Sequence, residues 1–90
     1  MTTHYKIRIH GKVQKVGFRY HAYVNAIRFK LTGFVTNEAE GSVYIEAEGE
    51  EDNLLAYLEW CKSGTEWSDV DSVDIKKGPV VHYTDFNIRH

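Results

Sequence analysis

Hydrophobic and polar residues follow two different periods along the chain. Residues 4–10 alternate, which predicts a strand with one buried face, and its apolar positions are Tyr5, Ile7 and Ile9. Residues 18–30 instead place apolar side chains three and four positions apart, which predicts a helix of about three turns. The apolar positions of this helix are Phe18, Ala22, Ala26 and Phe29, with Tyr23 and Ile27 beside them.

The rest of the chain continues with the same two kinds of element. Short strands are predicted at 34–38 and 42–48, joined by a hairpin turn in which Gly41 supplies a positive φ. A second helix is predicted from about 50 to 62, with a buried stripe of Leu54, Leu55, Leu58 and Cys61. An extended piece around 70–75 and a last strand at 83–89 follow, and the alternation leaves the register of that strand open.

The order of these elements predicts the fold class. The pattern βαββαβ, with one further extended piece, indicates an α+β ferredoxin-like sandwich. We expect a mainly antiparallel sheet of four to five strands with two helices on one face. Ninety residues suit one domain, 1–90, with a modest core. The same topology also carries RNA-binding, regulatory and metal-binding modules, so the fold alone leaves the function open.

Composition limits the class of protein and its compartment. The single cysteine, Cys61, cannot form an internal disulfide, so we expect a cytoplasmic protein. No apolar run approaches the roughly 20 residues of a membrane span, and no signal-peptide pattern opens the chain. The histidines lack the spacing of a zinc site, and no serine–histidine or cysteine–histidine pattern is recognisable. We therefore expect no metal and no cofactor.

Charge is unevenly distributed in a chain whose net charge is −2. Residues 1–31 contain seven Lys or Arg and no acidic residue, whereas residues 32–75 contain twelve acidic residues and one lysine, Lys62. A positive first third can steer small anions, although solvated surface charges explain it equally well. Nucleic acid is the other natural partner of a basic segment.

The segment between the first strand and the first helix, residues 11–19, is the main candidate for a binding site. Gly11 and Gly17 allow close turns, and successive amides that lead into a helix N-terminus can surround an oxyanion. Arg19 adds a planar fork of donors that suits phosphate oxygens. Ordinary turn glycines and a solvated arginine are the competing interpretation. Neither the Walker pattern nor the dinucleotide-binding glycine pattern is present.

Two spaced motifs resemble those of a known family. The sequence G-K-V-Q-K-V-G-F-R at 11–19 is followed by G-F-V-T-N-E-A-E-G-S-V at 33–43, and F-N-I-R closes the chain at 86–89. In spacing and order they resemble the acylphosphatases, whose motifs read G-x-V-Q-G-V-x-F-R and G-x-V-x-N-x-x-x-G-x-V. The resemblance covers almost the whole chain and implies the ferredoxin-like fold predicted above.

The resemblance also implies an activity and its residues. It implies metal-independent hydrolysis of the carboxyl–phosphate anhydride of small acyl phosphates to carboxylate and orthophosphate. Arg19 matches the family's phosphate-binding arginine, and Asn37 matches its water-orienting asparagine. The phosphate-binding loop would comprise Gln14, Lys15, Val16, Gly17 and Phe18.

The chemistry of Asn37 is consistent with that role. Its amide can accept a hydrogen bond from a water and donate one to it without changing charge. It sits on the strand after the first helix, which in a ferredoxin-like sheet can lie beside the C-terminal end of the first strand. The alternative for Asn37 is an ordinary turn residue near the hairpin.

Two residues depart from the family pattern. Lys15 stands where the family has glycine, and Thr36 stands where it has a longer, often basic residue. If the position of Lys15 needs a positive φ, the lysine costs about 1–2 kcal/mol or shifts the loop. Its ammonium group would then either help to hold the anion or block the site.

Two alternatives to an active enzyme follow. One is a weak or inactive relative that binds phosphate only, because of Lys15. The other is a ferredoxin-like nucleic-acid-binding module, which Glu46 and Glu48 argue against because they would repel a phosphodiester. We favour the enzyme, and we expect a monomer that binds small acyl phosphates and neither nucleic acid nor membranes.

Overall fold

The computed structural model describes residues 1–90 as five strands and two helices. The strands are β1 (Thr2–Lys12), β2 (Thr32–Asn37), β3 (Val43–Glu50), β4 (Asp69–Gly78) and β5 (Phe86–Arg89). The helices are α1 (Phe18–Arg28) and α2 (Glu51–Ser63). The chain order β1-α1-β2-β3-α2-β4-β5 confirms the predicted ferredoxin-like fold class. Neither helix has the length and apolarity needed to cross a membrane.

The strands form one sheet with the order β4-β1-β3-β2-β5. All neighbours pair antiparallel except β2 and β5, which pair in parallel. The expectation that β2 lies beside β1 is wrong, because β3 separates them. Both β1 and β2 run antiparallel to β3, so their C-terminal ends still lie at the same end of the sheet. Val43 of β3 pairs with Ile9 on one side and with Asn37 on the other, which brings the two ends within two strand spacings.

The core lies between the sheet and the two helices. The predicted buried positions Ile7 and Ile9 of β1 and Ala22 and Ala26 of α1 are all fully buried. Ile45 faces them from β3 and is also fully buried. These apolar side chains belong to one cluster of 17 residues, so a single core supports both helices and the sheet.

The buried stripe of α2 differs from the prediction at one position. Leu55 is 48% exposed, and Tyr57 is fully buried in its place. With Leu54, Leu58 and Cys61, Tyr57 completes the spacing i, i+3, i+4 and i+7 of one helix face, from which Leu55 is turned away. The Tyr57 hydroxyl donates to the carbonyl oxygen of Ala22 at 2.9 Å, so its polar atom is satisfied within the core.

The connection between β4 and β5 is fastened to the sheet by the carboxylate of Glu48. This residue is 2% exposed and accepts hydrogen bonds from the backbone N–H groups of Val81, His82 (3.0 Å) and Tyr83 (3.1 Å). Its carboxylate also lies 2.7 Å from Nδ1 of the buried His4. Burial acts to raise the pKa of Glu48, but these hydrogen bonds outweigh burial and lower that pKa.

The same carboxylate explains why the last strand is shorter than predicted. The prediction began that strand at residue 83, whereas β5 begins at Phe86. The amide of Tyr83 donates to Glu48 rather than to a neighbouring strand, so regular pairing starts only afterwards. A contact between residues 35 positions apart decides where β5 begins, and the local alternation of apolar and polar residues does not predict that contact.

Candidate active site

The loop between β1 and α1, residues 13–17, contains two left-handed residues. Lys15 has a φ of 63° and Gly17 has a φ of 76°. Gly17 immediately precedes α1, and its carbonyl oxygen accepts the hydrogen bond from the amide of His21 at 3.0 Å. Left-handed residues among right-handed ones turn successive amides toward a common side, which is the geometry of an anion-binding nest.

The backbone N–H groups from Gln14 to Tyr20 donate to no acceptor within the protein. The first amide in this region with a partner is that of His21. The amides of the first helical turn cannot bond within their helix, and α1 directs the positive end of its dipole toward the loop. The loop and the start of α1 therefore form a set of free donors suited to an oxyanion.

A cleft of about 300 Å³ opens beside this loop. Its lining residues are Val13, Lys15, Gly17, Phe18, Arg19, Tyr20, Asn37, Ile88 and His90. Arg19 and Asn37, predicted from separate motifs, therefore line the same cleft. The lining contains no aspartate or glutamate, and neither Arg19 nor Lys15 forms an ion pair. The cleft thus carries two positive charges that no acidic side chain neutralises.

Asn37 ends β2 with an unsatisfied polar atom. Its side-chain oxygen Oδ1 is buried and has no hydrogen-bond partner. Leaving a buried acceptor unpaired costs about 1–3 kcal/mol, and the structure contains other unpaired buried polar atoms away from the cleft, on Arg8 and Thr65. Asn37 lines the cleft, and its carboxamide oxygen can accept a hydrogen bond from a bound water when the amide turns toward the cleft.

Two predicted loop residues direct their side chains elsewhere. The amide nitrogen Nε2 of Gln14 donates to the carbonyl oxygens of Glu38 (2.7 Å) and Ser42 (2.9 Å) in the β2–β3 turn. Val16 packs against the apolar core. Both side chains anchor the loop, while Lys15 and Phe18 line the cleft beside it.

Sequence reasoning did not assign three of the cleft residues to the site, and these are Tyr20, Ile88 and His90. Tyr20 follows Arg19 directly and is 60% exposed, so its position next to the motif was the available signal. Ile88 and His90 reach the cleft because β5 pairs in parallel with β2, with Thr36 opposite Arg89. The closing motif F-N-I-R pointed to this segment, but only the sheet order links it to Asn37.

Lys15 occupies a left-handed position, as the family's glycine suggested. A residue with a Cβ costs about 1–2 kcal/mol in that conformation. We expect Lys15→Gly to raise the free energy of unfolding by about 1 kcal/mol, because the greater freedom of glycine in the unfolded chain offsets part of the relieved strain. Urea unfolding of the two proteins measures this difference.

The matched control is Lys15→Ala, which keeps the Cβ and removes the ammonium group. Its unfolding midpoint should stay close to that of the wild type. If Lys15→Gly gains no more stability than Lys15→Ala, the backbone at this position is not strained.

Fold and cleft together define a class: a ferredoxin-like α/β sandwich with a loop of unbonded backbone amides at one end of its strands. The family model for acylphosphatases matches residues 5–88 of this chain. The chain therefore belongs to the acylphosphatase family, and its activity is that of an acyl-phosphate hydrolase, which releases orthophosphate.

Individual relatives agree with the family model. An acylphosphatase of Aliivibrio fischeri is 37% identical over 84 residues, which cover 93% of each chain. An acylphosphatase of Bacillus pumilus is 37% identical over 87 residues, covering 96% of this chain and 97% of the relative. The crystal structure of an acylphosphatase from Bacillus subtilis superposes with a TM-score of 0.95 at 35% identity and covers the whole of both chains.

Proposed function

We propose that this acylphosphatase works in the described cleft by direct attack of water on the substrate's phosphorus. The loop amides of residues 14–18 and the Arg19 guanidinium bind the phosphate, and Asn37 holds the attacking water. One observation supports this most strongly. Arg19, which has no ion-pair partner, and Asn37, whose buried Oδ1 has no hydrogen-bond partner, line the same cleft.

Phosphate binding rests on donors that are free before the substrate arrives. The amides from Gln14 onward need not break protein hydrogen bonds to reach phosphate oxygens. The guanidinium of Arg19 can donate two parallel hydrogen bonds to one phosphate. As charge builds on the oxygens around phosphorus, these fixed donors stabilise the transition state more than the ground state. The Lys15 ammonium adds a second positive charge to the same cleft.

Water attack requires orientation more than activation. The carboxylate of an acyl phosphate is a good leaving group, so positioning and charge stabilisation suffice without a general acid or a metal ion. The water oxygen bonds to phosphorus, the bond from phosphorus to the acyl oxygen breaks, and the carboxylate leaves. The proton of the water passes to an oxygen of the transferred phosphate. Asn37 accepts from the water through Oδ1 and thereby directs its lone pair at phosphorus.

The test is an assay with and without a metal chelator. Benzoyl phosphate is incubated with the purified protein, and phosphate release is followed in the presence and absence of EDTA. We expect hydrolysis roughly 10⁶-fold or more above the spontaneous rate, unchanged by EDTA. p-Nitrophenyl phosphate, a monoester that lacks the anhydride, serves as the control and should be cleaved far more slowly. Loss of activity with EDTA that Mg²⁺ restores would contradict the metal-independent mechanism.

We further propose that residues 1–90 act as one cytoplasmic domain without a nucleic-acid partner. The buried Cys61 thiol, whose pKa burial raises, suits a compartment in which thiols stay reduced. On the open face of the sheet, the hydroxyls of Tyr44 and Tyr83 donate to Glu46 at 2.7 and 3.3 Å. This carboxylate stands among the aromatic rings on which nucleic-acid bases would stack.

We propose that the protein is a monomer. The edge strand β4 reads D-V-D-S-V-D-I-K-K-G, and it carries three aspartates and two lysines. Charged side chains on an edge strand oppose pairing with the edge of a second copy.

A further inference from the structure

Gln14 connects the two segments that carry the proposed chemistry. Its Nε2 lies within hydrogen-bonding distance of the carbonyl oxygens of Glu38 and Ser42, at 2.7 and 2.9 Å. Glu38 directly follows Asn37 in the chain, and Ser42 directly precedes Val43, the pairing partner of Asn37. The side-chain amide of Gln14, in the phosphate loop, therefore donates to both ends of the turn that follows Asn37.

The two carbonyl groups that Gln14 contacts are those that close this turn. The amide of Glu38 donates to the carbonyl oxygen of Ser42 at 2.9 Å, and the amide of Gly41 donates to that of Glu38 at 3.1 Å. Each carbonyl oxygen has two lone pairs, so Gln14 uses the second one on each. The NH₂ group of a glutamine has two hydrogens, which matches two acceptors. Gln14 thus completes the hydrogen bonding of the turn.

No other hydrogen bond joins these segments. Between residues 13–17 and residues 37–42, the bonds of Gln14 are the two that exist. The intervening strand β3 separates β1, which leads into the loop, from β2, which ends at Asn37. The loop could therefore shift relative to Asn37 without breaking any backbone pairing, and the Gln14 side chain opposes that shift.

We propose that Gln14 is a positioning residue that sets the separation between the phosphate-binding loop and the Asn37 carboxamide. This inference rests on the proposed function. In-line attack needs the water and the phosphorus within a narrow range of distance and angle, and a misplacement of about 1 Å lowers the rate roughly 10²-fold. The side chain of Gln14 acts on the rate through Asn37 and not by touching the substrate, because both of its N–H donors are engaged by the turn.

The test is a double-mutant cycle on kcat with Gln14→Met and Asn37→Ala. Methionine keeps the length of the side chain and removes both donors. We expect Gln14→Met to lower kcat about 30-fold, with the competitive inhibition constant of orthophosphate within about twofold of wild type, because the amides and Arg19 remain. In the Asn37→Ala background, the same substitution should lower kcat less than about threefold, since the water is no longer held.

A merely structural role for Gln14 would give a different pattern. General loosening of the loop would weaken orthophosphate binding, and its effect on kcat would multiply with that of Asn37→Ala. Either result overturns the inference, as does a wild-type kcat for Gln14→Met. All rates are measured at a temperature where urea titration shows each variant fully folded. If Gln14→Met does not fold, Gln14→Asn is used, which keeps the donors on a side chain shorter by one methylene and should give the same pattern.

A failure of the proposed function can be distinguished from a failure of this inference. If Asn37→Ala alone keeps the wild-type rate, the water-holding role is wrong. If Asn37→Ala is slow and the cycle is multiplicative, only the positioning role of Gln14 is wrong.

Discussion

Asn37→Ala is expected to lower kcat for benzoyl phosphate by about 10²–10³-fold, because the attacking water loses the acceptor that orients it. The Michaelis constant should change little, since the phosphate is held by the loop amides and by Arg19. Steady-state rates of phosphate release, together with the inhibition constant of orthophosphate, separate the two parameters.

The stability of Asn37→Ala provides an internal control for the activity measurement. The Asn37 side chain makes no hydrogen bond within the protein, and its Oδ1 is buried without a partner. Its removal breaks no protein hydrogen bond, so the urea midpoint should stay the same or rise. Thr36→Ala, one position earlier on β2, serves as the matched variant and should retain activity within about threefold. A wild-type kcat for Asn37→Ala, or an equal loss for Thr36→Ala, would contradict the water-holding role.

Arg19→Ala is expected to have the largest effect of any single substitution in the cleft. We expect kcat/KM to fall by about 10⁴-fold, because this residue supplies both a full positive charge and paired donors to the transferred phosphate. The inhibition constant of orthophosphate should rise in parallel. Arg19→Lys should recover only a small part of the activity, since an ammonium lacks the planar fork. Free guanidinium added to Arg19→Ala should partly restore the rate.

Arg28 provides the comparison for Arg19 on the same helix. It lies in the last turn of α1, where its guanidinium stands 5.9 Å from the ring of Phe29, and it does not line the cleft. Arg28→Ala removes the same charge from the same helix. It should keep kcat/KM within about twofold, because Arg28 lies at the end of α1 away from the cleft and salt screens its field there. Equal losses in Arg19→Ala and Arg28→Ala would mean that general charge, and not contact with phosphate, governs the rate.

The fold could be predicted from the sequence because its elements have clear periods. Tyr5, Ile7 and Ile9 alternate on β1, and the apolar positions of α1 recur at helical spacing, so each element carries its own signal. The error at Leu55 was one of helical phase, because Tyr57 and not Leu55 completes the helix face of Leu54, Leu58 and Cys61. The error in the last strand occurred where a distant contact overrides local pattern. The last strand starts late because Glu48 binds the amides before it.

The candidate site, too, could be predicted from the sequence only in part. Arg19 and Asn37 were selected from the motifs, and both line one cleft. Ile88 and His90 could not be assigned to that cleft beforehand, because only the parallel pairing of β5 with β2 brings them there. The contact of Gln14 with the β2–β3 turn was equally hidden, since it joins residues 24 and 28 positions apart.

By itself, the sequence determined the order of strands and helices, the family, and the residue types available for phosphate chemistry. Those properties depend on neighbours along the chain, whose side-chain periods and motif spacings are visible in the letters. The sheet order and the placement of Arg19 and Asn37 in one cleft were decided only by the tertiary structure. They depend on which distant backbones pair, and that choice is made by burial and hydrogen bonding summed over the whole domain.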